Sequence, residues 1–412
     1  MIVLDSVYAK NYKAYKEVVI DVSKFNVFIG KNSAGKSALV RLIPFVINSL
    51  NLDGDEVIDF SPLNIDIGAE YSDVVHGHAE FSQISLGANF KLNNIELAFV
   101  TELTYSTELK KTVVLNFYLA TNDQVVFEVN LDLESLEKKK ELLYLFGKDR
   151  LNLKFNGLLP DFSSLPSIIK NDNKELFELV RVIKNHDFNL SYLGPTRSEL
   201  SRTFTNKTMR SLNVGEKGQF APYIFKYKDE QSNGVLGNKI KEWMLSRFNG
   251  KYFILKSYEK AFAIFCSSGL GESNIIDEGV GFGQIFPSVV NRFARDLDKV
   301  KGIELIEQPE LHMHPAACGS IADLYLTAIS SNMVFVETHS KEFILRLRRR
   351  IAEGIDEKDI NIFYVDTDFN KKSAVIEKII INKNGAVKNW PAGIFEEDFD
   401  EVMALQEANK KK

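Results

Sequence analysis

The segment GKNSAGKS at residues 30–37 has the spacing G-x-x-x-x-G-K-[ST]. Gly30 and Gly35 let a loop curl so that its backbone N–H groups face a phosphate. Lys36 can then reach the β- and γ-phosphates of ATP, and Ser37 can bind Mg²⁺. The alternative is a chance glycine loop, but an apolar strand precedes the segment and a helical pattern follows it. We therefore predict a phosphate-binding loop whose contact residues are Gly30, Asn32, Ser33, Ala34, Gly35, Lys36, Ser37 and Ala38.

The segment IELIEQPELHMHP, residues 303–315, supplies the acid that such a loop needs. Glu307 ends an apolar strand, where a carboxylate can hold Mg²⁺. The alternative is a buried strand that ends in a solvated loop. The next position normally carries the general base, but here it is Gln308, whose amide can orient water and cannot accept a proton at neutral pH. We predict slow ATP hydrolysis, unless Glu310 or His339 activates the water.

Two shorter motifs complete the set. VGFGQ, residues 280–284, lies before an apolar helix expected at about 284–298, and glycine N–H groups at a helix start can bind phosphate. FVETHS, residues 335–340, ends a strand with His339, which could contact the γ-phosphate or the attacking water. A lone histidine is more often structural, but the distance of His339 from the acidic strand favours function.

The order of these motifs resembles that of ABC-type ATPases of the SMC, RecF and OLD group. The closer similarity is to prokaryotic "predicted ATPase" AAA families with a PELHLHP turn. SYLGPTRS, residues 191–198, is similar to their YLGPLR motif, and NWPAGIFEEDF, residues 389–399, resembles their closing WPxGFFD motif.

The resemblance implies an ABC-type ATPase head and a homodimer, or a higher homo-oligomer, with ATP sandwiched between heads. Gly281, Gly283 and Gln284 would then contact ATP held by the other subunit. Relatives often serve antiphage defence, so a sensor ATPase that controls a separate effector, a nuclease, is the leading hypothesis. A DNA repair or maintenance ATPase and a non-hydrolysing nucleotide-bound scaffold remain alternatives, and DNA stays open as a partner.

The elements that must position these residues indicate an α/β fold. Runs at residues 80–130 predict an antiparallel sheet, residues 133–188 predict mainly helix, and alternating strands and helices in the last third predict a central, mainly parallel sheet. We expect a sensing surface in 100–188 and in the loops near 199–235. The expected regions are an N-terminal lobe with the phosphate loop (1–99), an insertion (100–188), a C-terminal lobe (189–368) and a tail (369–412).

Composition restricts the class of protein. The 412 residues are 45% hydrophobic and 26% charged with a net charge of −5, which does not indicate a generic polyanion binder. No apolar run reaches the ~20 residues that a membrane helix needs. The start lacks a signal-peptide pattern, and Cys266 and Cys318 are expected to be reduced thiols of a cytoplasmic protein.

Three further features have two readings each. His312 and His314, with HGH at 76–78, could bind metal, but no ligand cluster accompanies them, so we interpret them as turn and dimer-facing residues. RLRRR at 346–350 could touch nucleic acid or an acidic partner, although a solvated helix face is commoner. Arg197 is either a phosphate contact or part of a structural ion pair.

Overall fold

The structure is a computed structural model that describes residues 2–79, 82–93, 95–137, 142–207 and 213–391. The chain divides into two compact units. Within the described residues, the first unit contains 2–23, 33–190 and 366–375. The second unit contains 24–32, 191–365 and 376–391. Most of the expected closing motif, residues 392–399, lies outside the described residues.

The strands are numbered here in chain order. The strands up to residue 190 are β1 (Ile2–Tyr12), β2 (Tyr15–Asp21), β3 (Phe25–Gly30), β4 (Ile84–Leu92), β5 (Ile95–Ser106), β6 (Lys111–Thr121), β7 (Gln124–Leu131), β8 (Tyr144–Phe146), β9 (Asp149–Leu151), β10 (Lys154–Phe155) and β11 (Pro160–Asp161). Those after it are β12 (Ser191–Leu193), β13 (Phe204–Thr205), β14 (Tyr252–Ser257), β15 (Ala261–Ser268), β16 (Gly271–Asn274), β17 (Ile303–Glu307), β18 (Met333–Glu337), β19 (Ile360–Asp368) and β20 (Ser373–Ile379).

The α-helices range in length from 4 to 18 residues. They are α1 (Lys36–Asn48), α2 (Tyr71–Val74), α3 (Leu133–Glu137), α4 (Ser167–Asp172), α5 (Lys174–Lys184), α6 (Ala221–Gln231), α7 (Val235–Leu245), α8 (Val280–Leu297), α9 (Pro315–Leu326) and α10 (Lys341–Ala352). Among the described residues, none of the helices has the length and hydropathy needed to cross a membrane.

The first unit is built on an antiparallel sheet with strand order β2-β1-β4-β5-β6-β7-β8-β9. The prediction of mainly helix in 133–188 is wrong for 144–155, which contains the short strands β8, β9 and β10. Tyr144, Leu151 and Phe155 are buried there. β8 pairs with β7 and β9 pairs with β8, which extends the sheet, while β10 pairs with β11 in a separate two-stranded sheet. These pairings outweigh the helical preference of this leucine-rich stretch.

The second unit contains a sheet with strand order β12-β17-β18-β3-β19-β20, in which the neighbours from β12 to β19 pair in parallel. Val27, Ile306 and Val336 lie in one cross-strand row and belong to the unit's hydrophobic core. Helices α8, α9 and α10 bury residues in the same core. A smaller antiparallel sheet, β13-β15-β14 with β16 on β15, belongs to the same unit.

Parallel pairing brings the carboxyl ends of β12, β17, β18 and β3 to one edge of this sheet. These strands end at Leu193, Glu307, Glu337 and Gly30. Ligand sites of open parallel sheets lie outside the carboxyl ends of the strands. Three features therefore lie at this edge: the start of the predicted phosphate loop, the predicted Mg²⁺ carboxylate and the end of the strand that leads to His339.

Candidate nucleotide site

The loop after β3 has the backbone that a phosphate cradle requires. Gly30, Ser33 and Gly35 have φ angles of 146°, 60° and 107°. A Cβ atom on Gly30 would overlap the carbonyl oxygen of Val365 on the neighbouring β19, and one on Gly35 would lie 3.0 Å from the Tyr15 hydroxyl. In a loop that turns in this way, successive backbone N–H groups can face one point, where an anion can bind.

Helix α1 begins directly after this loop, and its first turn suits a phosphate. Gly35 is the N-cap residue, no side chain caps the helix, and the first turn contains no acidic residue. The Tyr15 hydroxyl donates a hydrogen bond to the carbonyl oxygen of Gly35 (3.1 Å), which fixes the entry to the helix. Lys36, the first helical residue, is buried. A helix start with these features is a ready-made anion site, so the residues present fit nucleotide phosphates.

Glu307, at the end of β17, is 1% exposed and is oriented by its neighbours. The Tyr192 hydroxyl donates a hydrogen bond of 2.7 Å to Oε1 of Glu307. Arg197 Nη1 donates to the backbone carbonyl oxygen of Glu307 (3.1 Å) and to that of Gly194. The segment SYLGPTRS therefore holds the end of the acidic strand. The sequence motifs do not indicate Tyr192 as a residue of this site.

Arg197 was expected either to contact phosphate or to form an ion pair. Its side chain is buried, and its hydrogen bonds go to backbone carbonyl groups. Burial lowers the pKa of the guanidinium, while Tyr325, Tyr192 and Glu307 act in the opposite direction. An arginine stays protonated in proteins, so the group supplies a fixed positive charge beside Glu307.

Gln308 adopts a left-handed backbone conformation with φ of 45°. Its N–H donates to the carbonyl oxygen of Glu337 on β18 (2.8 Å), so the chain turns sharply while the two strand ends stay joined. A residue with a Cβ pays roughly 1–2 kcal/mol for this conformation. Such strain is commonly found at functional sites.

Glu310 contacts His339 through a hydrogen bond from the backbone N–H of the histidine. The N–H of His339 donates to Oε1 of Glu310 (2.7 Å). Burial raises the pKa of Glu310, while hydrogen bonds from His339 N–H and the Thr338 hydroxyl act against that rise. Glu310 thus holds the backbone of His339, the residue predicted to contact the γ-phosphate or the attacking water. A role as the general base for either residue stays a prediction.

The residues around His339 link β18 directly to α10. The N–H of Thr338 donates to the carbonyl oxygen of Phe28 on β3 (3.1 Å). Ser340 is the N-cap of α10, where its hydroxyl accepts a hydrogen bond from Phe343 N–H (3.1 Å). His339 is therefore held between a strand end and a helix start.

The histidines of PELHMHP have local backbone roles. His314 is the N-cap of α9, and its Nδ1 accepts a hydrogen bond from Ala316 N–H (3.2 Å). Pro315 then occupies the first helical position, where its missing N–H costs nothing. His312 has a left-handed φ of 63°. Among the described residues, no group of three His, Cys, Asp or Glu side chains could hold a metal ion by itself.

The glycine motif at 280–284 is helical, whereas we expected a loop before a helix at about 284. Gly279 is the N-cap with φ of 84°, and α8 begins at Val280. Gly281 faces the histidine turn, since a Cβ atom there would lie 2.9 Å from the carbonyl oxygen of His312. Gly283 and Gln284 follow in the first turns of α8.

The arginines of RLRRR are engaged within the second unit. Arg346 Nη1 and Arg350 Nε bond to Asp323 of α9, the latter at 2.7 Å. Arg348 Nε donates to the carbonyl oxygen of Gly385 (2.8 Å). These contacts join α9, α10 and the C-terminal segment, so the basic run has a structural role.

Comparison with known proteins agrees with this architecture. Residues 2–344 match the family described as AAA ATPase domain, and residues 355–405 match one described as protein of unknown function (DUF3696). A solved SmcHead bound to the C-winged helix domain of ScpA is 12% identical, with a TM-score of 0.50. That alignment covers 92% of this chain and 98% of the other.

Two further head structures align over most of both chains. The SMC head domain from Thermotoga maritima is 11% identical over 92% of this chain and 99% of its own, with a TM-score of 0.42. The Smc head domain with an extended coiled coil bound to the C-terminal domain of ScpA, derived from Pyrococcus furiosus, is 11% identical over 98% and 100%, with a TM-score of 0.46. No curated protein matches. With its fold similar to that of an SMC head, the chain belongs to the AAA ATPase domain family.

Proposed function

We propose that the protein binds Mg²⁺–ATP and hydrolyses it slowly. Bound ATP then acts as a latch, which means that it maintains a closed state of the protein until it is hydrolysed. The observation that carries the proposal is the sheet edge described above. A glycine loop with left-handed residues leaves β3, an uncapped helix follows it, and buried Glu307 ends β17 in the same sheet. Membership of the AAA ATPase domain family supports the same nucleotide.

In this proposal each motif has one task. Backbone N–H groups of residues 30–35 surround the phosphates, and Lys36 neutralises the terminal ones. Ser37 and Glu307 hold Mg²⁺, which neutralises phosphate charge when it is bound. Tyr192 and Arg197 keep Glu307 in place through the contacts given above.

Hydrolysis is slow in this proposal because Gln308 cannot take the proton of the attacking water. A positioned general base typically contributes a factor of about 10²–10⁴ to the rate. His339 lies next to the position of the γ-phosphate in this reading and reports its presence to α10. Binding energy then maintains a closed state rather than driving rapid turnover.

In the closed state, the ATPase heads of two subunits associate with ATP between them. The start of α8 on one subunit, with Gly281, Gly283 and Gln284, covers ATP held by the other subunit. The N-cap Gly279 and the absence of a side-chain cap on α8 support an anion at this helix start. A homodimer is the smallest assembly that satisfies this arrangement, and higher homo-oligomers remain consistent with it.

We infer that the protein acts in prokaryotic antiphage defence, as a sensor ATPase subunit that controls a separate effector, a nuclease. The motif resemblance supports this role. The solved SmcHead that resembles the chain is bound to a domain of ScpA, so a head of this fold can carry a partner protein. The sensing surface is assigned to residues 100–188 and the loops near 199–235.

A DNA repair or maintenance ATPase is the second candidate, and the likeness to an SMC head favours it. Hydrolysis stimulated by DNA, with binding that weakens steeply as salt rises, would support this candidate. The internal pairing of the RLRRR arginines counts against that surface as the DNA contact.

ATP-dependent closure tests the leading proposal. With Mg²⁺ and ATP, light scattering should show that the wild-type protein doubles in mass. Gly283→Arg should still bind ATP but remain monomeric, because its side chain would occupy the helix start that faces the second head. Gly283→Ala is the matched control, since the nearest atom to a Cβ there is 3.8 Å away. An unchanged mass of the wild-type protein with saturating ATP would refute head closure.

A further inference from the structure

Glu337 is a second buried carboxylate beside Glu307, and the motifs do not assign it a role. Glu307 and Glu337 are direct cross-strand partners in the parallel ladder of β17 and β18. They are 1% and 2% exposed. Partners in register point to the same face of a sheet, and neighbouring strands are about 4.8 Å apart. The two side chains therefore leave the sheet side by side.

The strand order brings Glu337 nearer than Glu307 to the phosphate loop. β18 lies between β17 and β3, and Glu337 is also in register with Phe28, two residues before Gly30. The carbonyl oxygen of Glu337 accepts a hydrogen bond from Gln308 N–H, and the adjacent Thr338 N–H donates to β3. The backbone around Glu337 is thus fixed on both sides.

Two carboxylates that are buried next to each other repel each other when both are charged. A cation bound between them removes that repulsion. Mg²⁺ in nucleotide sites is typically bound by one or two carboxylates together with phosphate oxygens. β17 offers one carboxylate at its end, Glu307. β18 supplies another in register with it.

We propose that Glu337 shares the Mg²⁺ of bound ATP with Glu307. The inference rests on the proposed nucleotide site and adds a ligand group to it. Glu337 acts on the cation and is not the general base, so it does not restore rapid hydrolysis. Glu337 lies two residues before His339, so a cation bound by Glu337 would be attached to the strand that leads to His339.

The test compares Glu337→Gln, which keeps the shape and removes the charge, with Glu337→Asp, which keeps the charge. ATP binding is measured by calorimetry in EDTA, and Mn²⁺ binding to the ATP-loaded protein is measured by electron paramagnetic resonance. Glu337→Gln should bind metal-free ATP within about twofold of wild type. Its Mn²⁺ affinity should fall by roughly 10-fold or more, as for other groups that support a metal site.

Glu337→Asp should have an intermediate Mn²⁺ affinity, because its carboxylate is withdrawn by one methylene. Glu353→Gln is the charge-matched control, since Glu353 is an exposed partner of Arg349 at the end of α10. Equal Mn²⁺ affinity for wild type, Asp and Gln would overturn the inference, as would a Gln variant that binds Mn²⁺ better than Asp. If Glu337→Gln does not fold, unchanged Mn²⁺ affinity in Glu337→Asp is sufficient to overturn it. Failure of the wild type to bind ATP would instead refute the proposed function.

Discussion

The ends of β17 and β18 are built from similar residues and are anchored differently. Each strand ends in a buried glutamate followed by polar residues, Glu307-Gln308 in one and Glu337-Thr338-His339 in the other. The end of β17 is tied to SYLGPTRS and turns sharply at Gln308. The end of β18 continues almost directly into α10 through the Ser340 cap.

This difference separates two tasks. A carboxylate that holds Mg²⁺ needs fixed neighbours, and Glu307 has them in Tyr192 and Arg197. A histidine that responds to a γ-phosphate needs an element that can transmit its movement, and His339 directly precedes a helix. In the proposed function, the β17 end is therefore suited to holding Mg²⁺, while the β18 end, where Glu337 would add a second carboxylate, is suited to transmitting the presence of the γ-phosphate to α10.

The largest expected effect comes from Lys36→Ala. Lys36 is the positive charge of the phosphate loop, and the proposed site at the ends of β17 and β18 depends on it. Its removal should weaken ATP binding by roughly 100-fold or more, because a buried charge contact is lost. Calorimetry measures this directly, and Lys31→Ala in the same loop is the matched control. Tight ATP binding by Lys36→Ala would break the assignment of the loop.

A smaller effect is expected from Tyr192→Phe, which removes the hydroxyl bonded to Glu307. A hydrogen bond to a charged group contributes about 1.5–3 kcal/mol. We expect the free energy of unfolding to fall by about 2 kcal/mol in urea denaturation. Tyr227→Phe, an exposed position on α6, serves as the control. Equal stability of Tyr192→Phe and wild type would show that the β17 end is not held in this way.

Glu310→Gln tests the contact that joins the two strand ends. Because burial raises the folded-state pKa of Glu310, the folded protein holds this proton more tightly than the unfolded chain. The group's contribution to stability is thus full below its ordinary pKa of 4.5 and decreases as pH rises through the raised value.

The amide of Glu310→Gln can still accept the His339 N–H but does not ionise. Relative to wild type, this variant should therefore gain stability between pH 4 and pH 8, by an amount of the order of 1 kcal/mol. Thermal unfolding across that range measures the difference. A difference that is constant with pH would contradict the buried-carboxyl description.

The smallest expected effect concerns the sharp turn after β17. Glycine adopts the left-handed conformation without the Cβ penalty, so Gln308→Gly should be more stable than Gln308→Ala by up to about 1 kcal/mol. The midpoint of denaturation in urea measures this. If the alanine variant were the more stable of the two, the left-handed backbone at Gln308 would be in question.

Local pattern was sufficient to predict several elements. The glycine spacing at 30–37 marks a strand, loop and helix, and β3 and α1 lie on either side of that loop. The alternation in the last third predicts parallel pairing, and β17, β18 and β3 pair in that way. These features depend on residues that are close in sequence or on a strong 2.0 or 3.6 periodicity.

Other features depend on contacts between distant residues. Tyr192 reaches Glu307 across 115 positions, and nothing in SYLGPTRS alone shows which way its hydroxyl points. The pairing of Glu307 with Glu337 needs the strand order and the register, which one sequence does not give. One signal was available for Glu337: a charged residue at the end of the apolar run MVFVE is costly to bury without a function.

The most direct test of the latch is phosphate release under multiple turnover, with wild type and Gln308→Glu measured side by side. We expect slow phosphate release by wild type and release that is faster by at least about 10-fold in Gln308→Glu, because the variant restores a proton acceptor. Gln308→Ala should remain slow. Fast release by wild type with no gain in Gln308→Glu would contradict the account, since another group would then activate the water.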